Sequence, residues 1–474
     1  MIRTRSISVL LLSVALSVPA FAQTLVRAKK LPAATLRQLA AAPAPPVLPR
    51  ENRHDDERKR ARTNISGKRI VRSNAAWIAV AAETIAAPPV AVGFPSDTSQ
   101  FLSPADASGG VSSSHVFAVS NAGFIVHSRS GAKIAQLTLS QFWRGTNTIA
   151  EFYDPRLLFD AAAKRWITVA MRNGEALMLA VSANADPMGA WTRYEMFLEE
   201  CDYTRLALTR DTVLVNTVKL SGGYIYSFTK SELYAAPAQP AAREFHVDAL
   251  AAVVHAPEST IEYFVEVRPG QLLINRLDRL AEVHVVDAGF DWSDGDGQFA
   301  PQPGAGAVEM GYGDIEAAVF RDGWLYAIHR IGSSTRTTDD NALLWWKVDP
   351  DGVRATETGL IDGTDIYYAY PSLDVNRRGD MLISFNTFSS TTYPSAAYVF
   401  RDAKGRTSPV AKLRDGDSST RITNRWGDYT TVVVDPVNDR DFWTGQIYAA
   451  TTHWATYWAQ VKAPGTTKRR SVRR

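Results

Sequence analysis

The stretch RWGDYTTVVVDP, from Arg425 to Pro436, decides the fold because its centre recurs along the chain. It places an Asp-Tyr pair, Asp428 and Tyr429, ahead of an apolar and β-branched run. The same order of a polar or aromatic head, a small or turn-forming residue and a short apolar run returns in FYDPRLLFD (152–160), CDYTRLALT (201–209), YGDIEAAVF (312–320) and YAYPSLDVN (368–376). Each copy predicts a turn that leads into a β-strand.

The spacing of these copies predicts a β-propeller. Successive copies lie 49, 111, 56 and 59 residues apart, and the gap of 111 residues is long enough for two units. The missing member fits HAPESTIEYFVEV (255–267), and an earlier copy fits SSSHVFAVSNAGFIV (112–126). A unit of about 40 to 60 residues holds one four-stranded antiparallel sheet, which is one propeller blade. The sequence therefore predicts an all-β fold with seven blades, and six or eight blades stay open as alternatives.

The chain starts with a predicted secretory signal peptide, residues 1–22. It combines two arginines, a short apolar run and the small-residue pattern Ala20-Phe21-Ala22, which predicts cleavage before Gln23. A retained membrane anchor is the alternative. No later stretch approaches the ~18 consecutive apolar residues of a spanning helix, so no transmembrane segment is expected. The predicted location is secreted or periplasmic.

Composition divides the rest of the chain into three segments. Residues 23–74 are rich in Ala, Pro and charge, which predicts a low-complexity, disordered leader, and residues 462–474 form a basic tail that is also predicted to be disordered. The propeller is assigned to residues 75–461. A propeller must close its ring, and residues 75–94 are the natural donor of a strand to the last blade. The single cysteine, Cys201, excludes an internal disulfide.

The charges are unevenly distributed. The whole chain carries +3, but Lys and Arg are concentrated in residues 23–72 and 462–474, which leaves the body with net negative charge. Basic tails can bind nucleic acid or anionic polymers, but solvated extensions are the favoured interpretation, so no nucleic-acid partner is expected. A monomer that contacts an extracellular glycan or protein is predicted.

Four segments, led by FYDPRLLFDAAAKRWITVA and RWGDYTTVVVDPVNDRDFWTGQIYA, resemble a family of secreted bacterial β-propeller proteins, which are largely uncharacterised and loosely described as sialidase-like. The signature RWGDY…DP…FW carries the resemblance, which spans about residues 110–460 and implies fold and export without an established activity. The sialidase arginine motif is absent, and SLDVNRRGDML (372–382) is at best one degenerate Asp-box. Sialidase activity is therefore not favoured.

The heads of the repeats supply the candidate site. In a propeller the innermost strands surround one channel, so residues that head each repeat converge, and carboxylates there could hold a hard cation or, with tyrosines, a sugar or a basic side chain. The alternative is structural, because Asp commonly caps turns and Tyr commonly packs between blades. Arg425 and Trp426 have no counterpart in the other copies. The candidate binding residues are Asp154, Asp202, Asp314, Arg425, Trp426, Asp428 and Tyr429.

Other motifs are weaker. FDWSDGDGQF (290–299) offers Asp291, Asp294 and Asp296 as calcium candidates, but it lacks the glutamate of an EF-hand loop, and an exposed acidic turn is favoured. The histidines have no zinc-binding spacing, and neither GxSxG nor a phosphate-binding loop is present. No cofactor is predicted, and calcium is the one left open.

The sequence favours a binding module for an extracellular or envelope polymer or protein. The alternative is a glycoside hydrolase or lyase that acts on polysaccharide through carboxylates facing the channel. Glycosidases need two carboxylates about 5 Å apart for retention and up to about 9 Å apart for inversion. Because the sequence gives no such separations, it leaves open whether the protein is an enzyme, and a binding role without catalysis is preferred.

Overall fold

The computed structural model describes residues 24–43, 68–72, 84–99, 104–143, 150–219, 221–247, 251–252, 259–290, 292, 298–332, 341–350, 357–420, 424–451 and 453–465. The predicted signal peptide, most of the predicted basic tail and the calcium candidates Asp291, Asp294 and Asp296 lie outside these ranges.

Seven sheets follow one another in a ring, which confirms the predicted seven-bladed β-propeller. The strands, innermost first, are Ser108–Val111, His115–Ser120, Gly123–Ser128 and Lys133–Leu137 in blade 1; Phe152–Asp160, Arg165–Arg172, Ala176–Ser182 and Ala190–Phe197 in blade 2; Cys201–Leu208, Thr212–Lys219, Gly222–Thr229 and Ala241–His246 in blade 3; Ala251–Ala252, Tyr263–Arg268, Gln271–Arg276 and Glu282–Asp287 in blade 4; Ile315–Arg321, Trp324–Gly332, Asn341–Val348 and Glu357–Ile361 in blade 5; Tyr367–Val375, Met381–Phe388, Ser395–Arg401 and Ala411–Arg414 in blade 6; Thr431–Val434, Phe442–Ala450, His453–Val461 and Val90–Ser99 in blade 7.

The ring is closed by a strand from the N-terminal part of the chain. Val90–Ser99 pairs antiparallel with His453–Val461 and becomes the outermost strand of blade 7. Phe94 lies opposite Trp458 in this pairing. The predicted donor, residues 75–94, overlaps this strand, and residues 73–83 are outside the described ranges. The closing strand therefore lies farther along the chain than predicted.

The hydrophobic core lies between neighbouring blades. Trp166 of blade 2 is fully buried and meets Phe117 of blade 1 edge-on, with ring centroids 5.4 Å apart. Trp346 and Trp443 are also fully buried. Each blade is covered on both faces by its neighbours, so its strands are near-continuous apolar runs rather than alternating ones. These tryptophans belong to the core of the blades.

Residues 24–43, which we call the N-terminal strap, pair with the outer edges of two blades and continue into a helix. The strap consists of Thr24–Arg27 on blade 3, Lys29–Lys30 and Ala34–Thr35 on blade 2, and the helix Leu36–Ala40. Farther along the chain, Arg69–Arg72 pairs in parallel with the outermost strand of blade 4.

The folded strap differs from the expectation of a disordered leader. Leu31, Leu36 and Leu39 are 6%, 0% and 7% exposed and pack in the core that contains Phe142 and Trp143. The outer edge of a sheet also presents unpaired backbone groups to any extended segment that reaches it. Three well-placed leucines and an available edge therefore order a segment whose average composition is typical of disorder.

The remaining regular elements are short. They are the helices Leu139–Trp143 and Lys230–Tyr234, the 3₁₀ turn Leu277–Arg279, and a two-stranded sheet of Phe299–Ala300 with Val308–Glu309 between blades 4 and 5. Within the described ranges, no helix has the length and apolar character needed to cross a membrane.

Candidate functional site

All innermost strands begin at one end of the propeller, which we call the strand-start end. Because each blade has four antiparallel strands, its outermost strand returns the chain to the end where its innermost strand began. Connections between blades, and those between the second and third strands, therefore lie at this end. The opposite end carries the connections that follow the innermost strands.

An irregular backbone marks the start of four blades. Asp106, Asp154, Tyr203 and Tyr370 have φ values of 51°, 51°, 54° and 52°. The pairing of the innermost strand changes register at this point in blades 2, 3 and 6. Non-glycine residues seldom adopt positive φ; in blades 2, 3 and 6 they belong to β-bulges that redirect the strand, and in blade 1 Asp106 lies just before the strand. The repeated head seen in the sequence is thus this bulge.

Three aspartates from blades 7, 1 and 2 meet at the strand-start end. Carboxylate oxygens of Asp106, Asp154 and Asp428 all lie within 4.8 Å of one another. These residues are 0%, 1% and 5% exposed. Of the other predicted aspartates, Asp202 is buried outside this group and Asp314 is exposed. The convergence involves two of the four predicted carboxylates and adds Asp106, which the sequence analysis missed. We call these three residues the carboxylate cluster.

The carboxylate cluster holds blades together. The backbone N–H of Asp428 in blade 7 donates to Oδ1 of Asp106 in blade 1 at 2.7 Å. The N–H of Tyr203 in blade 3 donates to Oδ2 of Asp154 in blade 2 at 3.2 Å. Asn121 of blade 1 donates to Asp106 and accepts the N–H of Asp154 at 2.9 Å. Asp106 and Asp154 thus have a structural role, but the backbone N–H groups that they accept belong to neighbouring blades and not to a local turn.

Arg425 places a buried cation beside the carboxylate cluster. Its guanidinium lies 3.0 Å from Oδ1 of Asp428 and 3.4 Å from Oε1 of Glu309, and the residue is 6% exposed. The neighbouring Trp426 is 1% exposed, and its indole N–H donates to Oδ1 of Asn386 at 3.0 Å. Arg425 therefore balances charge, whereas Trp426 anchors the connection into blade 7 in the core.

Tyr429 is a buried hydrogen-bond donor. Its hydroxyl donates to the carbonyl oxygen of Pro155 at 2.9 Å, which links blade 7 to blade 2. Burial raises the pKa of Tyr429 well above its usual range, and the carboxylate cluster adds to the rise while Arg156 opposes it. The phenol is therefore neutral at physiological pH and does not supply a nucleophilic phenolate.

Among the described residues, the carboxylate cluster is where a hard cation could be held. Calcium prefers carboxylate and carbonyl oxygens, which this cluster supplies. The backbone donors and Arg425 already neutralise part of its charge. The calcium candidates named from the sequence, Asp291, Asp294 and Asp296, fall outside the described residues.

The exposed aromatic side chains of the described residues share the strand-start end. Phe197, which ends the outermost strand of blade 2, is 64% exposed, and Tyr393, between the second and third strands of blade 6, is 38% exposed. Phe299 is 48% exposed and pairs with Glu309, the residue that contacts Arg425. Exposed aromatic rings therefore lie on the end that holds the buried charges.

Comparison with known proteins assigns no family to this chain. No family model and no curated protein matches the chain. Among solved structures it is similar to the WD40 domain of coronin from Toxoplasma gondii, with 10% identity, a TM-score of 0.40, and coverage of 81% of this chain and 90% of that chain. It is also similar to an α-L-arabinofuranosidase from Fusarium graminearum, with 11% identity, a TM-score of 0.36, and coverage of 80% and 97%. At these values the likeness says nothing about activity.

Proposed function

We propose that this protein is a binding module whose ligand, an extracellular or envelope polymer, contacts the strand-start end. The observation that carries the proposal is the placement of Phe197, Phe299 and Tyr393, which are exposed at this end. Aromatic rings offer large, rigid contact surfaces, and rings around a polar centre suit a polysaccharide chain. The blades serve as the scaffold, and the connections between them form the site.

The proposal is tested by screening the mature protein against a glycan array and a panel of envelope polysaccharides. The triple variant Phe197→Ser, Phe299→Ser and Tyr393→Ser should bind at least tenfold more weakly than the wild type. Val437→Ser is the matched control, because Val437 is 60% exposed but lies in the connection that follows an innermost strand, at the opposite end. Equal weakening by the control variant would contradict the proposal, as would recognition of a protein and of no glycan.

The alternative of a glycoside hydrolase or lyase rests on the carboxylate spacing. Retaining glycosidases place their two carboxyl groups about 5 to 5.5 Å apart, and oxygens in the carboxylate cluster lie within 4.8 Å. However, these three residues are at most 5% exposed, and backbone or arginine donors already engage them. A sugar could reach them only after the blades had moved apart. Product release by the wild type but not by Asp154→Asn would establish catalysis instead of binding.

We further propose that the protein is exported and belongs to the family of secreted propellers carrying the RWGDY…DP…FW signature. Support comes from the signal-peptide pattern of residues 1–22. N-terminal sequencing of the protein recovered from outside the cytoplasm should begin at Gln23. Recovery of a chain that still starts at Met1 would contradict the assignment.

A further inference from the structure

A second set of side chains surrounds the channel two residues beyond the heads of the innermost strands. In blades 2, 3 and 6 a β-bulge separates these residues from the heads, so their shared position is established by the cavity that they line. Six blades each contribute one member, and together they line a cavity of about 60 Å³. The members of this channel ring are Ser108, Arg156, Arg205, Glu316, Ser372 and Thr431.

Arg156 is a cation with few protein partners. Its Nε donates to the carbonyl oxygen of Thr204 at 3.0 Å, and its guanidinium lies 3.1 Å from the centre of the Tyr429 ring. Its Nη2 is buried without a hydrogen-bond partner in the described part of the chain, and no ion pair of Arg156 is found there. A guanidinium has five N–H donors, so most of its donor capacity is unused. A half-buried guanidinium with so few hydrogen bonds to the protein is stabilised when an anion binds to it.

The hydroxyls of Ser108 and Ser372 can act beside Arg156. Oγ of Ser108 accepts the backbone N–H of Leu157 at 3.2 Å, and Oγ of Ser372 accepts that of Val432 at 2.9 Å. A hydroxyl that accepts one bond keeps its proton as a donor, and both residues line the cavity. The channel ring therefore combines a fixed guanidinium with two oriented hydroxyls.

Charge and size limit what the ring can take. Arg205 is its second cation and Glu316 its one carboxylate, so the ring carries net positive charge. The carboxylate cluster, which lies two or three residues earlier in the chain in blades 1, 2 and 7, opposes anion binding, and Arg425 offsets it in part. A cavity of about 60 Å³ is much smaller than the ~150 Å³ that binds benzene, so it admits a small group and not a sugar ring.

A larger cavity lies next to the ring, toward the opposite end of the propeller. A cavity of about 240 Å³ lies where the innermost strands end, and Val319 lines both cavities. The lining of the larger cavity includes Lys230 and Arg321, which are paired with Asp160 and Asp439. The two cavities are therefore neighbours along the axis of the propeller.

We propose that the channel ring binds a small oxyanion, with Arg156 as its principal ligand and the hydroxyls of Ser108 and Ser372 as further donors. Two sources supply an anion of this chemistry: a free ion such as sulfate, and an acidic group carried by a polymer. The site is independent of the proposed binding at the aromatic residues, because Phe197, Phe299 and Tyr393 take no part in it.

The test is thermal unfolding and calorimetric titration with sodium sulfate, at ionic strength matched with sodium chloride. Sulfate stabilises proteins in general, so the wild type is compared with Arg156→Gln and with Arg210→Gln, at an exposed arginine paired with Asp211. The wild type and Arg210→Gln should bind sulfate alike, and Arg156→Gln should bind at least tenfold more weakly. Equal stabilisation of all three proteins would overturn the proposal.

A second measurement keeps the test valid if Arg156→Gln fails to fold. Crystals of the wild type soaked in selenate should show an anomalous peak within hydrogen-bond distance of the Arg156 guanidinium, and absence of the peak contradicts the site. Titration with a sulfated oligosaccharide and with its uncharged counterpart distinguishes the two sources. Binding of the sulfated form that depends on Arg156 supports a polymer-borne anion, and binding of sulfate alone supports a free ion.

Discussion

Arg425 is the residue on which the charge balance of the strand-start end depends. It contacts Asp428 of the carboxylate cluster and Glu309 of the two-stranded sheet, and all three are largely shielded from water. In such surroundings, carboxylates close to one another repel strongly unless a cation or hydrogen-bond donors compensate them. The arginine that has no counterpart in the other repeats thus has an electrostatic role in holding blades 7, 1 and 2 together.

Replacing Arg425 should destabilise the fold. Arg425→Gln removes the cation from two buried carboxylates, and breaking a buried pair in this way costs about 3–5 kcal/mol in the free energy of unfolding. Urea unfolding measures the change. Arg210→Gln is the control, because its pair with Asp211 is more than half exposed and should contribute less than about 1 kcal/mol. A loss for Arg425→Gln as small as that of the control would refute the electrostatic role.

The buried carboxyl group of Asp97, on the closing strand, should make the free energy of unfolding depend on pH. Burial raises the pKa of Asp97 to about 6. The hydrogen bonds donated by Ser120 and by the N–H of Thr98, and the positive charge of Lys133, lower this pKa and offset part of the rise. The folded state therefore holds this proton more tightly than the unfolded chain does. Stability from this group is fully present below about pH 4 and is lost as pH rises through about 6.

Asp97→Asn should remove this dependence. Between pH 4 and pH 8 this group should cost the wild type on the order of 2 kcal/mol in the free energy of unfolding, because at the higher pH Asp97 must be buried as a charged carboxylate. Asp97→Asn carries no such charge, so the variant should become more stable relative to the wild type by this amount as pH rises. Denaturant unfolding at both values gives the difference. Asp415→Asn, at an exposed aspartate, should show no comparable gain. If the two variants behave alike, Asp97 does not titrate in the folded state as described.

At the scale of elements, the strap shows that a segment can be ordered by a few anchors. Its strands complete hydrogen bonds on the outer edges of blades 2 and 3, while Leu31, Leu36 and Leu39 fill the space beside blade 1 and blade 2. Its contribution to stability should therefore be concentrated in the leucines.

Leu36→Ala should lower the free energy of unfolding by about 2–4 kcal/mol, because Leu36 is fully buried and its truncation leaves a cavity. Leu25→Ala is the matched control within the same strap, since Leu25 is 55% exposed and its truncation should change stability by less than about 0.5 kcal/mol. Equal, small effects for both leucines would mean that the strap is not docked in solution.

The repeat pattern located some blades better than others, for physical reasons. Five heads matched innermost strands, but the copies placed at 112–126 and 255–267 fall on the second and third strands of blade 1 and on the second strand of blade 4. The true innermost strand of blade 1, Ser108–Val111, is SGGV and lacks a β-branched run. A Cβ at Gly109 would lie 2.5 Å from Trp458, so packing excludes a typical strand residue there.

The atypical innermost strand of blade 1 also explains why the sequence analysis missed Asp106 as a site residue. Asp106 stands two residues before Ser108, as Asp154 stands two residues before Arg156, so aligning Ser108 with Arg156 would have revealed Asp106. The convergence of Asp154 with Asp428 follows from ring closure and was predictable from the repeat. The docking of Glu309 against Arg425 was not, because it depends on how a long connection folds back over the strand-start end.

At the scale of the whole molecule, the closing strand joins the two ends of the propeller. Deleting Val90–Ser99 should abolish the cooperative unfolding transition, because it leaves blade 7 open and exposes the core around Trp458. Deleting Thr24–Arg27, an outer strand of blade 3, should lower the melting temperature while the transition stays cooperative. Circular dichroism during heating distinguishes the outcomes, and a cooperative transition without Val90–Ser99 would contradict the requirement for closure.

Closure by Val90–Ser99 also has a kinetic consequence. Val90–Ser99 is synthesised before blade 1, but its partner, His453–Val461, emerges only after blades 1 to 6 have been synthesised. Contacts this distant in sequence make folding slow and leave an unpaired strand exposed in the meantime. The propeller therefore reaches its native state only after blade 7 has been synthesised, a delay that is compatible with the proposed export of the protein in unfolded form. Until its partner is available, Val90–Ser99 stays unpaired, so it is the segment that most needs protection from aggregation.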